Sequence, residues 1–110
     1  MDVLIEDAGK VSILKIIGNI DLYTVVDLKH VFQELNQKQK FKLIVDLEKV
    51  EYMDSSALGL FVKQVIILDK NYEVLRIIKA NDSVKLLFQW TNIKKNIRFY
   101  DSLQSALDDF

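Results

Sequence analysis

The sequence predicts an α/β domain in which helices pack on a mostly parallel sheet. From residue 24 onward, short apolar runs alternate with segments of helical periodicity, which is typical of parallel strands joined by right-handed crossovers. The two opening runs have no helical segment between them and predict an antiparallel hairpin at one edge. The predicted element order is β-β-α-β-α-β-α-β-α, and a chain of 110 residues suits one domain, spanning residues 1–110.

The opening hairpin is predicted from two β-branched runs, residues 3–5 and 11–17, with Gly9 in the turn between them. A helix is expected from Thr24 to about residue 36, because apolar side chains recur there at helical spacing. The spacing Thr24-x-x-Asp27 is a capping pattern that predicts where this helix begins. Its inward side chains are expected to be Val25, Leu28, Phe32 and Leu35.

Residues 43–47 are predicted to form a central parallel strand, because nearly consecutive apolar positions are typical of strands covered on both faces. A second helix is expected from Asp54 to about residue 70. Its inward stripe is predicted to be Leu58, Phe61, Val62, Val65 and Leu68. The remaining elements are a strand at 73–79, a helix at 83–91, a strand at 97–100 and a helix at 102–110. The last two helices are expected to turn inward Val84, Leu87, Phe88, Leu103, Ala106, Leu107 and Phe110.

Charge and composition exclude several classes of partner. Fifteen basic and sixteen acidic residues give a net charge of -1, which offers no sequence-wide attraction for nucleic acid or anionic lipid. No apolar run is long enough to span a membrane, and the acidic N-terminus lacks the bases of a signal peptide. The absence of cysteine excludes disulfides and thiolate metal sites and suits a reducing compartment. We therefore expect a cytoplasmic protein that binds neither nucleic acid nor membrane.

Residues 50–60 form the main candidate site, because they lead from a central strand into the start of a helix, where open α/β folds place functional groups. In one interpretation, Asp54, Ser55 or Ser56 is an N-cap whose side-chain oxygen accepts a bond from a free backbone N–H. In the other, a hydroxyl here carries phosphate, since a helix N-terminus offers free N–H donors and a positive dipole end to a dianion. Phosphorylation would then change the surface and not the fold.

Two groups of apolar residues each allow two interpretations. Leu60 and Ile67 lie one heptad apart, on a different azimuth from the inward stripe of the second helix. They form either a partner-binding surface or part of a wide buried arc. Trp90, one turn after Leu86, is either a partner contact or a member of a satellite core cluster, and the frequent burial of large aromatic side chains favours the cluster.

Catalysis and metal binding have little support in these residues. Ser55 lacks the Gly-x-Ser-x-Gly flanks of a nucleophile elbow. The sole histidine, His30, is predicted to face solvent on the first helix, so a general base is missing. The carboxylates Asp21, Asp46 and Asp54 would suit a hard cation, but caps and turns explain them more simply. We expect no enzyme activity, no bound metal and no cofactor.

Two motifs in the sequence resemble one protein family. Residues 54–59 (DSSALG), which follow a strand ending in Asp46-Leu47, are similar to the D-S-[ST]-[GA]-L-G signature of STAS-domain anti-sigma factor antagonists. Residues 18–24 (GNIDLYT) are similar to the family's G-x-[IL]-D-x-x-[TS] segment between the second strand and the first helix. The predicted element order also matches that of the family from about Val3 to Phe110. The resemblance therefore covers essentially the whole chain and implies a STAS-like domain.

The resemblance implies a phosphorylation switch. Unphosphorylated members of this family bind an anti-sigma factor that is also an ATP-dependent serine kinase, and so release a sigma factor. The kinase then phosphorylates the serine after the aspartate, and a PP2C-type phosphatase reverses the reaction. Carried over to this chain, the acceptor is Ser55, and ATP with its metal belongs to the kinase. The residues implied in partner binding are Asp21, Asp54, Ser56, Ala57, Leu58 and Leu60.

One position departs from many members of the family. Ala57 stands where they have glycine, and the turn is expected to survive because alanine favours helix. The same fold also serves as a constitutive, non-phosphorylated interaction subunit of transport or sensory complexes. That role, with the second helix as a fixed docking face, is the alternative function.

Overall fold

Five strands form one sheet in the computed structural model, which describes residues 1–91 and 94–110. The strands are β1 (Asp2–Ala8), β2 (Val11–Ile17), β3 (Leu43–Lys49), β4 (Leu75–Ile78) and β5 (Ile97–Tyr100). The helices of the described residues are α1 (Val25–Gln37), α2 (Ser55–Lys70), α3 (Asp82–Gln89), a short 3-10 helix (Lys94–Asn96) and α4 (Leu103–Asp108). The strand order is β1-β2-β3-β4-β5, with β1 antiparallel to β2 and the other pairs parallel. The predicted α/β fold, with its antiparallel edge, is confirmed.

The opening hairpin is longer than the sequence pattern predicted. β1 covers Asp2–Ala8 rather than residues 3–5, because every one of its residues has a partner on β2, beginning with Asp2 opposite Ile17. Gly9 turns the chain with a φ of 62°, a conformation that glycine adopts without a Cβ penalty. The sequence pattern did not predict the full length of β1, because Asp2, Glu6 and Asp7 interrupt its apolar run.

α1, α2 and α3 pack on one face of the sheet and enclose the main core. β3 contributes Leu43, Val45 and Leu47 to this core, all of them fully buried. A row of phenylalanine rings crosses the core with successive ring centroids 5.4 to 5.8 Å apart, within the range of favourable edge-to-face pairing. In order, these are Phe32, Phe61, Phe88 and Phe99.

α4 covers the other face of the sheet. Ala106 of this helix is buried in a second apolar cluster with Ile13, Ile44 and Ile78, so β3 has apolar cover on both faces, as its sequence predicted. α4 ends at Asp108, earlier than expected. The ring of Phe110 therefore lies beyond the helix, with its centroid 3.7 Å from the guanidinium carbon of the buried Arg76, in a cation–π contact.

The prediction that Trp90 belongs to a core cluster is wrong. The residue follows the last turn of α3, and its side chain is 83% exposed. Leu86, one turn earlier, is also exposed, because α3 turns Val84 and Phe88 toward the sheet instead. His30 is exposed on α1, as predicted.

The inward face of α2 is rotated from the predicted stripe. Leu58 and Val62 are only half-buried, whereas Ala57 and Gln64 are buried with Phe61, Val65 and Leu68. Gln64 is tolerated in the core because its amide pairs with that of Asn36 on α1 in two hydrogen bonds, of 3.0 and 2.9 Å. Within residues 1–91 and 94–110, none of the helices has the length and apolar character needed to cross a membrane.

Candidate functional site

The loops that follow β2 and β3 meet at the carboxyl edge of the parallel strands. Ile20 and Met53 form an isolated parallel bridge between the two loops, with the Ile20 N–H donating to the Tyr52 carbonyl at 3.2 Å. The Asn19 side chain accepts a further bond from the Tyr52 N–H at 3.1 Å. Both motifs singled out in the sequence therefore lie side by side, at the edge where open α/β sheets place their functional groups.

Asp54 is the N-cap of α2. One carboxylate oxygen accepts hydrogen bonds from the backbone N–H groups of Ser56 and Ala57, at 3.0 and 3.1 Å, as an N-cap side chain does. The Ser56 hydroxyl donates to the same oxygen. The second carboxylate oxygen accepts from the Leu22 N–H in the other loop, at 3.0 Å. Of the candidate caps Asp54, Ser55 and Ser56, the structure assigns the role to Asp54.

Thr24 is the N-cap of α1, as its position in the sequence predicted, but its side chain makes no cap hydrogen bond within the helix. Asp21 instead caps the turn that leads into α1. Its carboxylate accepts from the N–H groups of Tyr23 and Thr24, at 2.9 and 3.0 Å, and the Thr24 hydroxyl accepts in return from the Asp21 N–H at 2.9 Å. This reciprocal pair has the pattern of a capping box, with Asp21 as its first residue and Thr24 as its fourth. The Thr24-x-x-Asp27 spacing therefore predicted where the helix begins, while the side-chain bonds form one turn earlier.

The two caps carry carboxylates that favour the charged form. The pKa of Asp54 lies below its ordinary value, first because the Ser56 hydroxyl donates to it and further because backbone N–H groups do so, against an opposing effect of burial. The pKa of Asp21 is also lowered, by the N–H groups of Thr24 and Tyr23, against burial and the nearby charge of Asp54. Two negative charges therefore lie together at this edge, and each is explained by a cap rather than by a metal.

Ser55 is the first residue of α2 and is exposed. Among the described residues, no hydrogen bond engages its hydroxyl, whereas the hydroxyl of the neighbouring Ser56 is held by Asp54. Gly59 lies one helical turn behind Ser55 and is also exposed, and a Cβ built on it would meet no atom within 4 Å. The start of α2 thus exposes the free hydroxyl of Ser55, and one turn later the helix surface carries no side chain at Gly59.

The other residues implied in partner binding lie at different depths. Ala57 is fully buried in the main core, so a partner could meet it only through the shape of the turn. Leu58 and Leu60 are half-buried and pack against the core from its rim. Asp46, which the sequence offered only as a possible ligand of a hard cation, is buried in β3 and accepts a bond from the Glu48 N–H at 3.0 Å.

An apolar rim on the two loops next to the start of α2 was not predicted from the sequence. Leu22 and Tyr23, in the loop after β2, are 65% and 87% exposed, and Tyr52, in the loop after β3, is 57% exposed. Val26, one turn after Leu22, is exposed as well. Large apolar side chains grouped at an exposed edge are typical of a protein-binding surface. One feature of the sequence could have indicated this rim. Leu22 and Tyr23 lie between the capping residue Asp21 and the start of α1, where neither side chain can reach the core.

Comparison with known proteins gives a consistent result. The STAS domain family model matches residues 2–106. An anti-sigma-B factor antagonist of Staphylococcus aureus is 38% identical over 81 residues, which cover 74% of this chain and 75% of that protein. The match to this relative therefore covers about three quarters of each chain.

Solved structures support the fold. An anti-sigma factor antagonist from Mycobacterium paratuberculosis superposes with a TM-score of 0.86, at 23% identity, covering 98% of this chain and 92% of that one. The Bacillus cell fate determinant SpoIIAA in its phosphorylated form gives a TM-score of 0.78, at 15% identity, covering 98% of each chain. The anti-sigma factor antagonists form a regulatory, protein-binding family and not a family of enzymes. By fold, by family match and by its curated relatives, this chain belongs to the STAS-domain family of anti-sigma factor antagonists.

Proposed function

We propose that this protein is a phosphorylation-controlled antagonist of an anti-sigma factor. In its unphosphorylated form it binds an anti-sigma factor that is also a serine kinase, and this binding releases a sigma factor. The kinase phosphorylates Ser55, which ends the interaction, and a PP2C-type phosphatase restores it. The proposal places the protein in the cytoplasm, where sigma factors act on RNA polymerase.

The observation that carries the proposal is the free, exposed hydroxyl of Ser55 at the N-terminus of α2. A kinase needs a hydroxyl that can enter its active site without unfolding the substrate, and Ser55 meets this requirement. Ser56 does not, because its hydroxyl is bound to Asp54. The apolar side chains of Leu22, Tyr23 and Tyr52 on the neighbouring loops provide the contact area that a partner needs to dock over this turn.

The chemistry of phosphate at this position explains how the switch acts on the partner and not on the fold. A helix N-terminus stabilises a phosphate dianion through its free N–H groups and dipole. The charge of about -2 that phosphate adds would lie beside the carboxylates of Asp54 and Asp21. A partner that docks well on the free hydroxyl would therefore meet bulk and concentrated negative charge after phosphorylation.

The relatives support the identity of the partner. The Staphylococcus aureus proteins are named as antagonists of the anti-sigma-B factor, and SpoIIAA has been solved in both its unphosphorylated and its phosphorylated form. By analogy, we assign an anti-sigma factor as the partner of this chain and Ser55 as its phosphorylation site.

Capture from a lysate of the source organism tests the proposal. Three baits are compared, the unmodified protein, Ser55→Ala and Ser55→Asp, and retained proteins are identified by mass spectrometry. An ATPase of the anti-sigma factor type should be retained by the first two baits and lost by the third. Phosphopeptide mapping of the protein isolated from cells should place phosphate on Ser55. If all three baits retain the same transport or sensory subunits, the protein is a constitutive interaction module and the switch is wrong.

A further inference from the structure

A groove separates α1 from α2 on the surface of the domain, away from the sheet. It has a volume of about 350 Å³, which is within the range of pockets that bind ligands. Its walls are a row from α1 and a row from α2. Lys29 and Asn36 lie on the α1 wall, and Leu60, Lys63, Gln64 and Ile67 lie on the α2 wall.

The groove contains apolar side chains beside polar ones, and an amide pair joins its two walls. Leu60 and Ile67 are half-buried in it, so each keeps part of its apolar surface exposed. The paired amides of Asn36 and Gln64 join the two helices by bonds of 3.0 and 2.9 Å. Because each amide both donates and accepts, the pair fixes the spacing of the two helices at this point.

The charged groups of the groove are all of one sign. Lys29 stands on the α1 wall and Lys63 on the α2 wall, and both are exposed. No aspartate or glutamate is among the lining residues that the structure describes. On the outer surface of α1, Glu34 is occupied by an ion pair with Lys38 at 2.8 Å. The groove therefore combines the apolar side chains of Leu60 and Ile67 with two basic side chains, which is complementary to an apolar stripe flanked by carboxylates.

The length of the groove defines the kind of group that fits. The α1 wall runs from Lys29 to Gln37 and the α2 wall from Leu60 to Ile67, which corresponds to about 10 to 12 Å at the helical rise per residue. This is the length of two turns of an added helix. Amphipathic helices dock into grooves of this type through apolar side chains at positions i, i+3 or i+4, and i+7.

We propose that the α1–α2 groove is a docking site for an acidic amphipathic helix of a partner protein. Its apolar side chains contact Leu60 and Ile67, and its carboxylates pair with Lys29 and Lys63. The site does not include Ser55 or the apolar rim on the neighbouring loops. The proposal therefore stands independently of the phosphorylation switch.

A matched pair of synthetic peptides tests the proposal. Each is a short helix constrained by a lactam bridge on its outer face, because isolated short helices are marginal in water. Both carry the same apolar stripe, flanked by glutamate in one peptide and by lysine in the other. Binding is measured by fluorescence anisotropy and mapped by amide chemical shifts of the labelled protein.

The acidic peptide should bind and shift the amides of Leu60, Lys63 and Ile67, while the basic peptide should not. Exchanging both rim lysines, K29E/K63E, should weaken the acidic peptide by about tenfold, as expected for two reversed charge pairs, and should allow the basic peptide to bind. Lys70→Glu, an exposed lysine outside the groove, is the matched control and should leave both affinities unchanged. Leu60→Ser should weaken the acidic peptide without reversing the charge preference.

Three results would overturn the proposal. The first is failure of the acidic peptide to bind, and the second is an affinity that K29E/K63E leaves unchanged. The third is self-association in sedimentation that K29E/K63E abolishes, because the groove would then be occupied by a second copy of this chain. Circular dichroism of each variant confirms that a lost affinity does not reflect a lost fold.

Discussion

The carboxylate of Asp54 accepts a hydrogen bond from the backbone N–H of Leu22, 32 residues earlier in the chain, at 3.0 Å. The same carboxylate caps α2, so the start of α2 is fixed relative to the loop that leads into α1. The backbone of Leu22 and the start of α2, which carries Ser55, are consequently held together. A partner that contacts both meets a preformed surface, which lowers the entropic cost of binding.

Charge at Ser55 should change binding without changing stability. Ser55→Asp is expected to weaken the anti-sigma factor complex by at least about tenfold. The new carboxylate adds negative charge beside Asp54 and Asp21, and an unfavourable charge in an interface costs more than the roughly 1.4 kcal/mol that corresponds to tenfold in affinity. Its melting temperature should stay close to that of the unmodified protein, because a helix N-terminus accepts negative charge. Isothermal titration calorimetry and thermal unfolding measure the two effects. Ser105→Asp, in the first turn of α4 on the other face of the sheet, is the control, and an equal loss of affinity there would contradict the assignment.

A side chain at Gly59 should obstruct the docking surface while stabilising the helix. Gly59→Ala is expected to raise the free energy of unfolding by roughly 0.5–1 kcal/mol, because glycine inside a helix is entropically costly and a Cβ here meets no atom within 4 Å. Gly59→Trp should fold but lose the partner, because the indole would lie one turn behind Ser55. Ser105→Trp controls for a new surface aromatic. Retained partner affinity in Gly59→Trp would show that docking does not extend over this face of α2.

Acid should destabilise the protein through its two caps. Because the folded pKa values of Asp21 and Asp54 lie below the ordinary value, the unfolded chain binds more protons as the pH falls. Their contribution to stability is complete above the ordinary aspartate pKa of about 3.9 and is lost as the pH falls through the lower folded values. Urea unfolding midpoints across this range should vary less steeply in D21N/D54N. Asp27→Asn, an exposed acid in the first turn of α1, is the control for simple loss of charge.

The amide pair between α1 and α2 should show strong coupling. Asn36→Ala leaves the buried Gln64 amide without its partner, and the expected loss is about 1–3 kcal/mol in the free energy of unfolding. Replacing both amides by leucine should cost less than this single change, because no buried polar group is then left unsatisfied. A double-mutant cycle by urea unfolding measures the coupling. Additive effects would contradict it, and Gln37→Ala, exposed on the same helix, should be nearly neutral.

Two aromatic residues near the end of α3 should differ sharply. Phe88→Ala removes a fully buried ring that contacts Phe61 and Phe99, and a loss of about 3–5 kcal/mol is expected. Trp90→Ala should change the free energy of unfolding by about 0.5 kcal/mol or less, as exposed positions do. Chemical denaturation of both variants measures the contrast. Similar losses would mean that Trp90 packs in the core after all.

The sequence was sufficient for the fold because its periodicities are strong. The apolar run at residues 43–47 and the helical spacing around Leu28 and Phe61 each allow one arrangement on a sheet. The positions that were predicted wrongly are those where tertiary contacts override local pattern. Gln64 is buried only because Asn36 lies opposite it, and no pattern within α2 contains that information. Trp90 is exposed because the phase of α3 is set by Val84 and Phe88, which outweigh the general tendency of tryptophan to be buried.

The sequence identified the two loops of the candidate site but not the hydrogen bonds that join them. The motifs around Asp21 and Ser55 identified the two loops, and parallel topology places such loops at one edge. The bond from Leu22 to Asp54 was not predictable, because it depends on the spacing of two loops that are distant in sequence. The apolar rim of Leu22, Tyr23 and Tyr52 was missed for a related reason: exposure of an apolar side chain is a property of the folded surface.

The sheet order β1-β2-β3-β4-β5 follows the order of the chain, and this has a consequence for synthesis. Each strand pairs with the one made just before it, so the sheet can grow at one edge as the chain leaves the ribosome, and no later strand needs to insert between earlier ones. Both loops of the candidate site and the capped start of α2 belong to the first 60 residues. The pairing of these two loops can therefore begin before β4, β5 and α4 are synthesised, and the later half of the chain then completes the core on which α2 packs.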